Sequence, residues 1–182
     1  HLGSSIVTVF DLKNQQVIAD IPDVPNPYGI LVVPGLKTVY VSAGGKNQVG
    51  IIDENTLKVT KYIQAGKTPD GIAYDPNTNK IFVSNENSGT ITVIDAASNE
   101  RIEDIPIGGI VGNTHFDPVS KLIYTVSGAD NKLFEIDPKT NKVINRYDVT
   151  GGVRPHCLYI DEYTHYALIT CQGNNKIIVF DL

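Results

Sequence analysis

Residues Thr68 to Ile102 read TPDGIAYDPNTNKIFVSNENSGTITVIDAASNERI, and this stretch decides the fold. Four short apolar and β-branched runs, Gly71–Asp75, Ile81–Asn85, Thr90–Asp95 and Arg101–Ile105, are bounded by Asp, Asn, Gly and Pro. No window of about 11 residues keeps a helical period, so the stretch predicts four short strands, A to D, joined by tight turns.

The unit recurs along the chain. Segments ending in an apolar residue plus Asp close at Asp11, Asp53, Asp95, Asp137 and Asp181, at spacings of 42, 42, 42 and 44. The entrances at Pro27, Pro69, Val111 and Pro155 repeat at 42, 42 and 44. Four strands in roughly 42 residues is the arithmetic of a propeller blade, so an all-β fold is expected, a β-propeller of four-stranded antiparallel blades. Its parts lie within a single domain or part of one over residues 1–182. They are a partial blade over 6–23, blades over 28–65, 70–107 and 112–149, and a partial blade over 156–182. Five C strands against three complete blades do not close a four-bladed ring, and open ends leave the unpaired edges that closure removes. A partial ring is therefore expected, a fragment of about seven blades. A compact four-bladed ring or a self-assembling half-propeller is the alternative.

The quoted unit, together with RPHCLYIDEYTHYALITCQGNNKIIVFD from Arg154, resembles the YVTN-type β-propeller repeat. That pattern runs Pro-x-Gly, a strand, an Asp-Pro-x-x-x-Lys turn, a Tyr-Val-x-Asn-like strand and Val-Ile-Asp. The signature tetrad here varies as YVSA from Tyr40, FVSN from Phe82, YTVS from Tyr124 and LITC from Leu168. The resemblance covers nearly the whole chain. It implies a bacterial or archaeal origin, an extracytoplasmic location (periplasmic, secreted or cell-surface) and usually no enzymatic role.

Composition excludes several other classes. The 182 residues are 41% hydrophobic, enough for a real core, and carry a net charge of −5 without any run of Lys or Arg. A nucleic-acid footprint or anionic-membrane patch is not supported. Apolar runs such as Ile30–Val33 and Ile177–Phe180 fall far short of the roughly 20 residues a membrane-spanning helix needs. The chain starts at His1 and contains no Met, which reads as a mature or partial chain.

One motif imitates a metal site. Asp75, Asn77, Asn79 and Glu86 fall at the ligand spacing of a calcium loop. In a blade, however, Asp75 sits at the A–B turn and Glu86 beyond the far end of strand B, on the order of 20 Å away at about 3.3 Å per residue. The position requiring Gly is Lys80. The motif is therefore expected to be a hairpin turn, with Asp and Pro supplying local hydrogen bonds and a preset φ. No metal and no cofactor is expected.

Function is sought on the face formed by the D–A and B–C connections. The last period carries two extra residues, in DVTGGVRPHC, which place Arg154 and His156 at the mouth of the central channel. Arg154 suits an anion and His156 a proton or ligand role. His115 lies inside a strand A, either packed or directed into the channel. Tyr28, Asp70 and Asn113 at blade entrances could complete a polar ring with Asn85, Glu86 and Asp130. His165 is expected to be solvated in the opposite turn face. Cys157 and Cys171 align with Gly71 and Asn85, nearly opposite each other across a hairpin, and so are candidates for a disulfide; a one-residue slip would leave two free thiols.

The leading functional expectation is a noncatalytic extracytoplasmic binding scaffold, more in keeping with a non-enzyme than an enzyme. Its partners would be an unknown protein or small-molecule ligand, besides the remaining blades or another copy of the chain. The alternatives are a haem-associated oxidoreductase propeller similar to the cytochrome d1 domain, using His156 or His115, and a lactonase-like hydrolase. No Ser-His-Asp order or paired-carboxylate signature favours catalysis.

Overall fold

Each Asp that ends an inner or third strand folds the chain back on itself. Asp75 accepts hydrogen bonds from the Asn77 and Thr78 amides at 2.9 and 3.2 Å and from their side chains at 2.8 and 2.5 Å. Asp53, Asp95, Asp117 and Asp161 repeat the device with the N–H groups two or three residues on. Every such turn closes on a residue with positive φ, such as Asn79, Asn99 and Asn141 at +54, +57 and +56°. Asn tolerates that region better than most residues. The motif that imitates a calcium loop is thus a pair of turns on opposite faces of one blade.

The structure, a computed structural model, describes residues 1–182 apart from the side chains of Leu2 and Pro34. The turns link seventeen strands among the described residues. A two-stranded sheet comes first, β1 (Val7–Asp11) and β2 (Gln16–Ile21). Three four-stranded blades follow. The first is β3 (Pro27–Val33), β4 (Thr38–Ala43), β5 (Gln48–Asp53) and β6 (Lys58–Gln64). The second is β7 (Pro69–Asp75), β8 (Lys80–Asn85), β9 (Thr90–Asp95) and β10 (Glu100–Pro106). The third is β11 (Val111–Asp117), β12 (Leu122–Ser127), β13 (Lys132–Asp137) and β14 (Lys142–Asp148). A three-stranded sheet ends the series, β15 (Pro155–Asp161), β16 (Tyr166–Cys171) and β17 (Lys176–Asp181). All pairings are antiparallel, and no described helix is long and apolar enough to cross a membrane.

The core lies between blades. One face of the first blade, with Tyr40, Val49 and Ile51, packs on Ile81, Val83 and Ile94 of the second. The second blade presents Phe82, Ile91 and Val93 to Ile123 and Ile136 of the third, and the third presents Tyr124 and Leu133 to Ala167 and Ile169. The turn face adds polar links. Tyr40 donates to Asn99 Oδ1 at 2.6 Å, and Lys80 to Asn141 Oδ1 at 2.9 Å, so the first and second blades each grip an Asn at the same repeat position of the next.

The ring is open, and its two ends expose positions that interior blades bury. Ile177 and Val179, counterparts of the fully buried Ile91 and Val93, are 64% and 59% exposed. Ile30 and Val32 of β3 are also exposed, on the side where the two-stranded sheet has no inner strands.

The candidate disulfide does not form. A β-bulge between Pro155 and Cys157 sets Cys171 opposite Pro155 and Cys157 opposite Thr170. The thiols are free, Cys157 exposed and Cys171 buried. Any inference of an oxidising compartment from that bond falls with it.

His165 also departs from expectation. Its Nε2 lies 2.7 Å from the Asp117 carboxylate of the preceding blade, which is fully buried. Burial pushes the Asp117 pKa up, but hydrogen bonds from Ser120, His165 and Val119 outweigh it, leaving the group below its ordinary value. The turn carboxylates Asp53, Asp95 and Asp161 are held low first by turn N–H bonds, and Asp11 first by the Asn14 side chain. A folded-state pKa below the unfolded one gives stability that is present above the unfolded value and lost as pH falls through the folded one. Urea midpoints should therefore hold between about pH 7 and 5 and decline below about 4. A midpoint that rises below pH 4 would contradict the assignment.

Candidate functional site

Inner strands meet at the channel mouth only because glycine lines the contact. A Cβ on Gly29 would lie 2.1 Å from the Asp70 carbonyl oxygen, and one on Gly112 would lie 2.1 Å from that of His156. Both are positions where backbone must approach backbone. The bare Gly112 lets β15 close on β11. His156, the second residue of β15, then reaches the loop after β8.

Three of the expected residues converge there. His156 Nε2 stands 3.9 Å from Glu86 Oε1, and both are partly buried. Asp70, second residue of β7, is close enough to feel both charges. Its backbone is fixed by the Ser42 hydroxyl, which donates to the Asp70 carbonyl at 2.6 Å. Glu86 is fixed by its own N–H to Thr68 O at 2.9 Å and by the Val111 N–H at 3.3 Å to its carbonyl. Burial pushes the Asp70 pKa up, His156 offsets part of this, and Glu86 adds to it. Among the described residues no group donates a hydrogen bond to the Asp70 carboxylate. The half-buried Asp70 acid thus lies beside a second acid and an imidazole.

The other candidates are dispersed. Asn85 is fully buried and braces its loop, accepting from Gly66 N at 3.1 Å and donating to Thr90 and Thr92 hydroxyls at 3.0 and 2.9 Å. It belongs to the scaffold rather than to a polar ring. His115 Nδ1 lies 3.0 Å from Phe116 O, and its ring packs edge-on against Tyr159 with centroids 5.4 Å apart. The ring is packed, and burial pushes its pKa down. Tyr28 covers Gly44, where an added Cβ would lie 2.7 Å from its ring. Asn113 abuts Gly71, and its carbonyl accepts from Thr125 Oγ1 at 3.1 Å. Asp130 accepts from Ser127 Oγ at 3.2 Å on an exposed loop. Arg154 is exposed, with φ +53°, and its N–H donates to Asn131 Oδ1 at 2.7 Å. A cavity of 710 Å³ lies elsewhere, between outer strand β2 and β6, and holds none of the converging residues.

Sequence reasoning missed the Asp117–His165 pair and the setting of Glu135. Glu135 accepts from Tyr124 and Tyr147 hydroxyls, each at 2.9 Å, and from the Asn145 amide. The available signal was the repeat itself: aligned positions 51, 93 and 179 are Ile, Val and Val, which marks Glu135 as the odd member.

The sequence model of the YNCE-like beta-propeller family matches residues 32–182. No protein of curated function matches the chain significantly. Among solved structures, Kuenenia stuttgartiensis hydrazine synthase aligns with a TM-score of 0.76 and 20% identity, over 87% of this chain and 50% of its own. The dihydro-heme d1 dehydrogenase NirN, in complex with DHE, aligns with a TM-score of 0.78 and 19% identity, over 99% of this chain and 40% of its own. The chain thus spans half or less of either structure, and the likeness is one of fold.

Proposed function

The chain belongs to the YNCE-like β-propeller family, and from that premise we propose that it is a noncatalytic binding scaffold whose ligand or partner docks at the Asp70–Glu86–His156 mouth. The observation that carries the reading is the half-buried Asp70 carboxylate without a hydrogen-bond donor. Two acids and an imidazole recognise a positively charged donor group, an ammonium or guanidinium on a small molecule or on a partner's side chain. Burial of such an acid costs stability that function repays. The finer YVTN-type repeat assignment, supported by the 42-residue units, and the extracytoplasmic location that this resemblance implies are part of this proposal. So is the covering of the open end faces by further blades of its own propeller or by another copy.

The test is calorimetric titration with lysine- and arginine-containing peptides. Asp70→Asn and Glu86→Gln should each weaken binding about tenfold, the worth of a charge-assisted hydrogen bond. Asp70→Asn should also raise stability at pH 7, and the gain should shrink on acidification, because a raised folded-state pKa penalises the ionised form. Binding that is indifferent to both substitutions would sink the reading. The haem-associated and lactonase-like readings take second place: His115 is packed against Tyr159, and His156 stands beside carboxylates, so no specific observation favours either.

A further inference from the structure

We propose that the 710 Å³ cavity between β2 and β6 is a binding site for a small apolar zwitterion of dipeptide size, separate from the mouth and independent of how the mouth is read. Both walls belong to this chain. Ala19 and Ile21 of β2, with Asp23 in the connection that follows, form one side; Leu57 in the turn before β6, with Val59 and Tyr62 of β6, forms the other. No β1 residue lines the cavity, which therefore lies outward of β1. The inner strands that the two-stranded sheet lacks belong on the inward side, and a preceding blade would cover its far face. Neither would enter the cavity.

The space is open because a bridge present at the next two junctions is missing here. Lys61 of β6 donates to Asn99 O in the second blade at 2.8 Å and pairs with Glu100. One repeat on, Glu103 accepts from Asn141 Nδ2 of the third blade at 2.8 Å. One repeat back, Ala19 stands in place of Lys61 and Glu103, and Leu57 in place of Asn99 and Asn141. A methyl group cannot reach across, and leucine offers no polar side-chain atom to meet it. Leu57 also holds a φ of +53°, a conformation that asparagine tolerates and a bulky apolar residue does not favour. The chain keeps a strained leucine in the cavity wall where its own repeat supplies an unstrained polar residue.

The lining specifies the ligand. Ala19, Leu57 and Val59 give an apolar floor, with Asp20 and Asp23 on the β2 side and Lys46 and Lys58 on the side of the first blade. Asp20 is held by the Thr8 hydroxyl, which donates to its carboxylate at 2.6 Å. Among the described residues none of these four charges enters an ion pair, so both signs flank the floor without neutralising each other. An ammonium group suits the aspartates, a carboxylate suits the lysines, and an apolar body covers the floor between them. A simple anion would also meet the aspartates and a simple cation the lysines, which selects for a molecule carrying both charges.

The experiment titrates L-leucyl-L-leucine into the 182-residue protein and follows backbone amide NMR shifts. Saturable shifts are expected in β2, β6 and the turn at Leu57, with the amides of Asp70 and Glu86 at the mouth unmoved. N-acetyl-leucyl-leucine and leucyl-leucinamide should each bind about tenfold more weakly, the worth of one charge-assisted hydrogen bond. Lys58→Gln should weaken binding of the free dipeptide by about the same factor and leave the urea midpoint unchanged. Ala19→Lys returns the side chain of the next junction to the groove and should abolish the shifts in a protein at least as stable as the wild type. Absence of saturable shifts, blocked termini that bind as well as free ones, or binding that is indifferent to both Lys58→Gln and Ala19→Lys would each overturn the proposal.

Discussion

Gly112→Ala is expected to destabilise the fold by about 3 kcal/mol or more and to disperse the mouth cluster at the same time. The added methyl would sit 2.1 Å from the His156 carbonyl oxygen and 2.8 Å from its carbonyl carbon. Neither atom belongs to a flexible side chain, so relief requires β15 to move away from β11. That movement pulls apart the interface in which Tyr124 and Leu133 pack on Ala167 and Ile169. It also carries His156 away from Glu86. Urea unfolding measures the first effect, and the imidazole NMR shift of His156 measures the second. Gly151→Ala provides the contrast. Its φ of +82° makes it strained for any side chain, but nothing lies within 4 Å of its Cβ, so it should cost less and leave His156 in place. Equal losses in the two variants would show that backbone conformation, not close approach, governs the mouth.

The difference between these glycines explains how much could be read in advance. Strand order, the 42-residue period and the turn role of Asp75 follow from local chemistry, because each is decided within a few residues of the quoted stretch. The cysteine pairing failed through one bulge. Pro155 and His156 together face a single stretch of β16, and that extra residue turns Cys157 to the opposite face from Cys171. Among the nine mouth candidates, the alignment placed the entrances correctly but could not say which side chains would meet. Asp70 and Glu86 come from the second blade and His156 from the last sheet, and their meeting depends on how far the inner strands close. Asn85 reads as a polar loop residue, yet its amide is consumed by Gly66, Thr90 and Thr92. Cross-blade contacts such as Asp117 with His165 are set by blade packing, which periodicity does not encode residue by residue.

Glu135 tests whether the repeat can predict energies as well as strands. Glu135→Ala is expected to cost about 3 kcal/mol, because it strands the Tyr124 and Tyr147 hydroxyls that donate to it and leaves a void between the third blade and β17. Tyr124 and Tyr147 both have raised pKa values, Tyr124 first through burial and Tyr147 first through its bond to Glu135, so neither hydroxyl ionises to escape. The second blade occupies the same three positions with Phe82, Val93 and Ile105, all buried. The triple variant Tyr124→Phe, Glu135→Val, Tyr147→Ile therefore removes donors and acceptor together and installs a set that already packs in this fold. It should be within about 1 kcal/mol of the wild type or more stable, since replacing a satisfied buried polar network by apolar groups of similar volume is often neutral or favourable. Chemical denaturation of the single and triple variants decides the matter. A triple variant as unstable as Glu135→Ala would mean that the third interface needs its carboxylate for packing geometry, and that blades of one chain are not interchangeable at their faces.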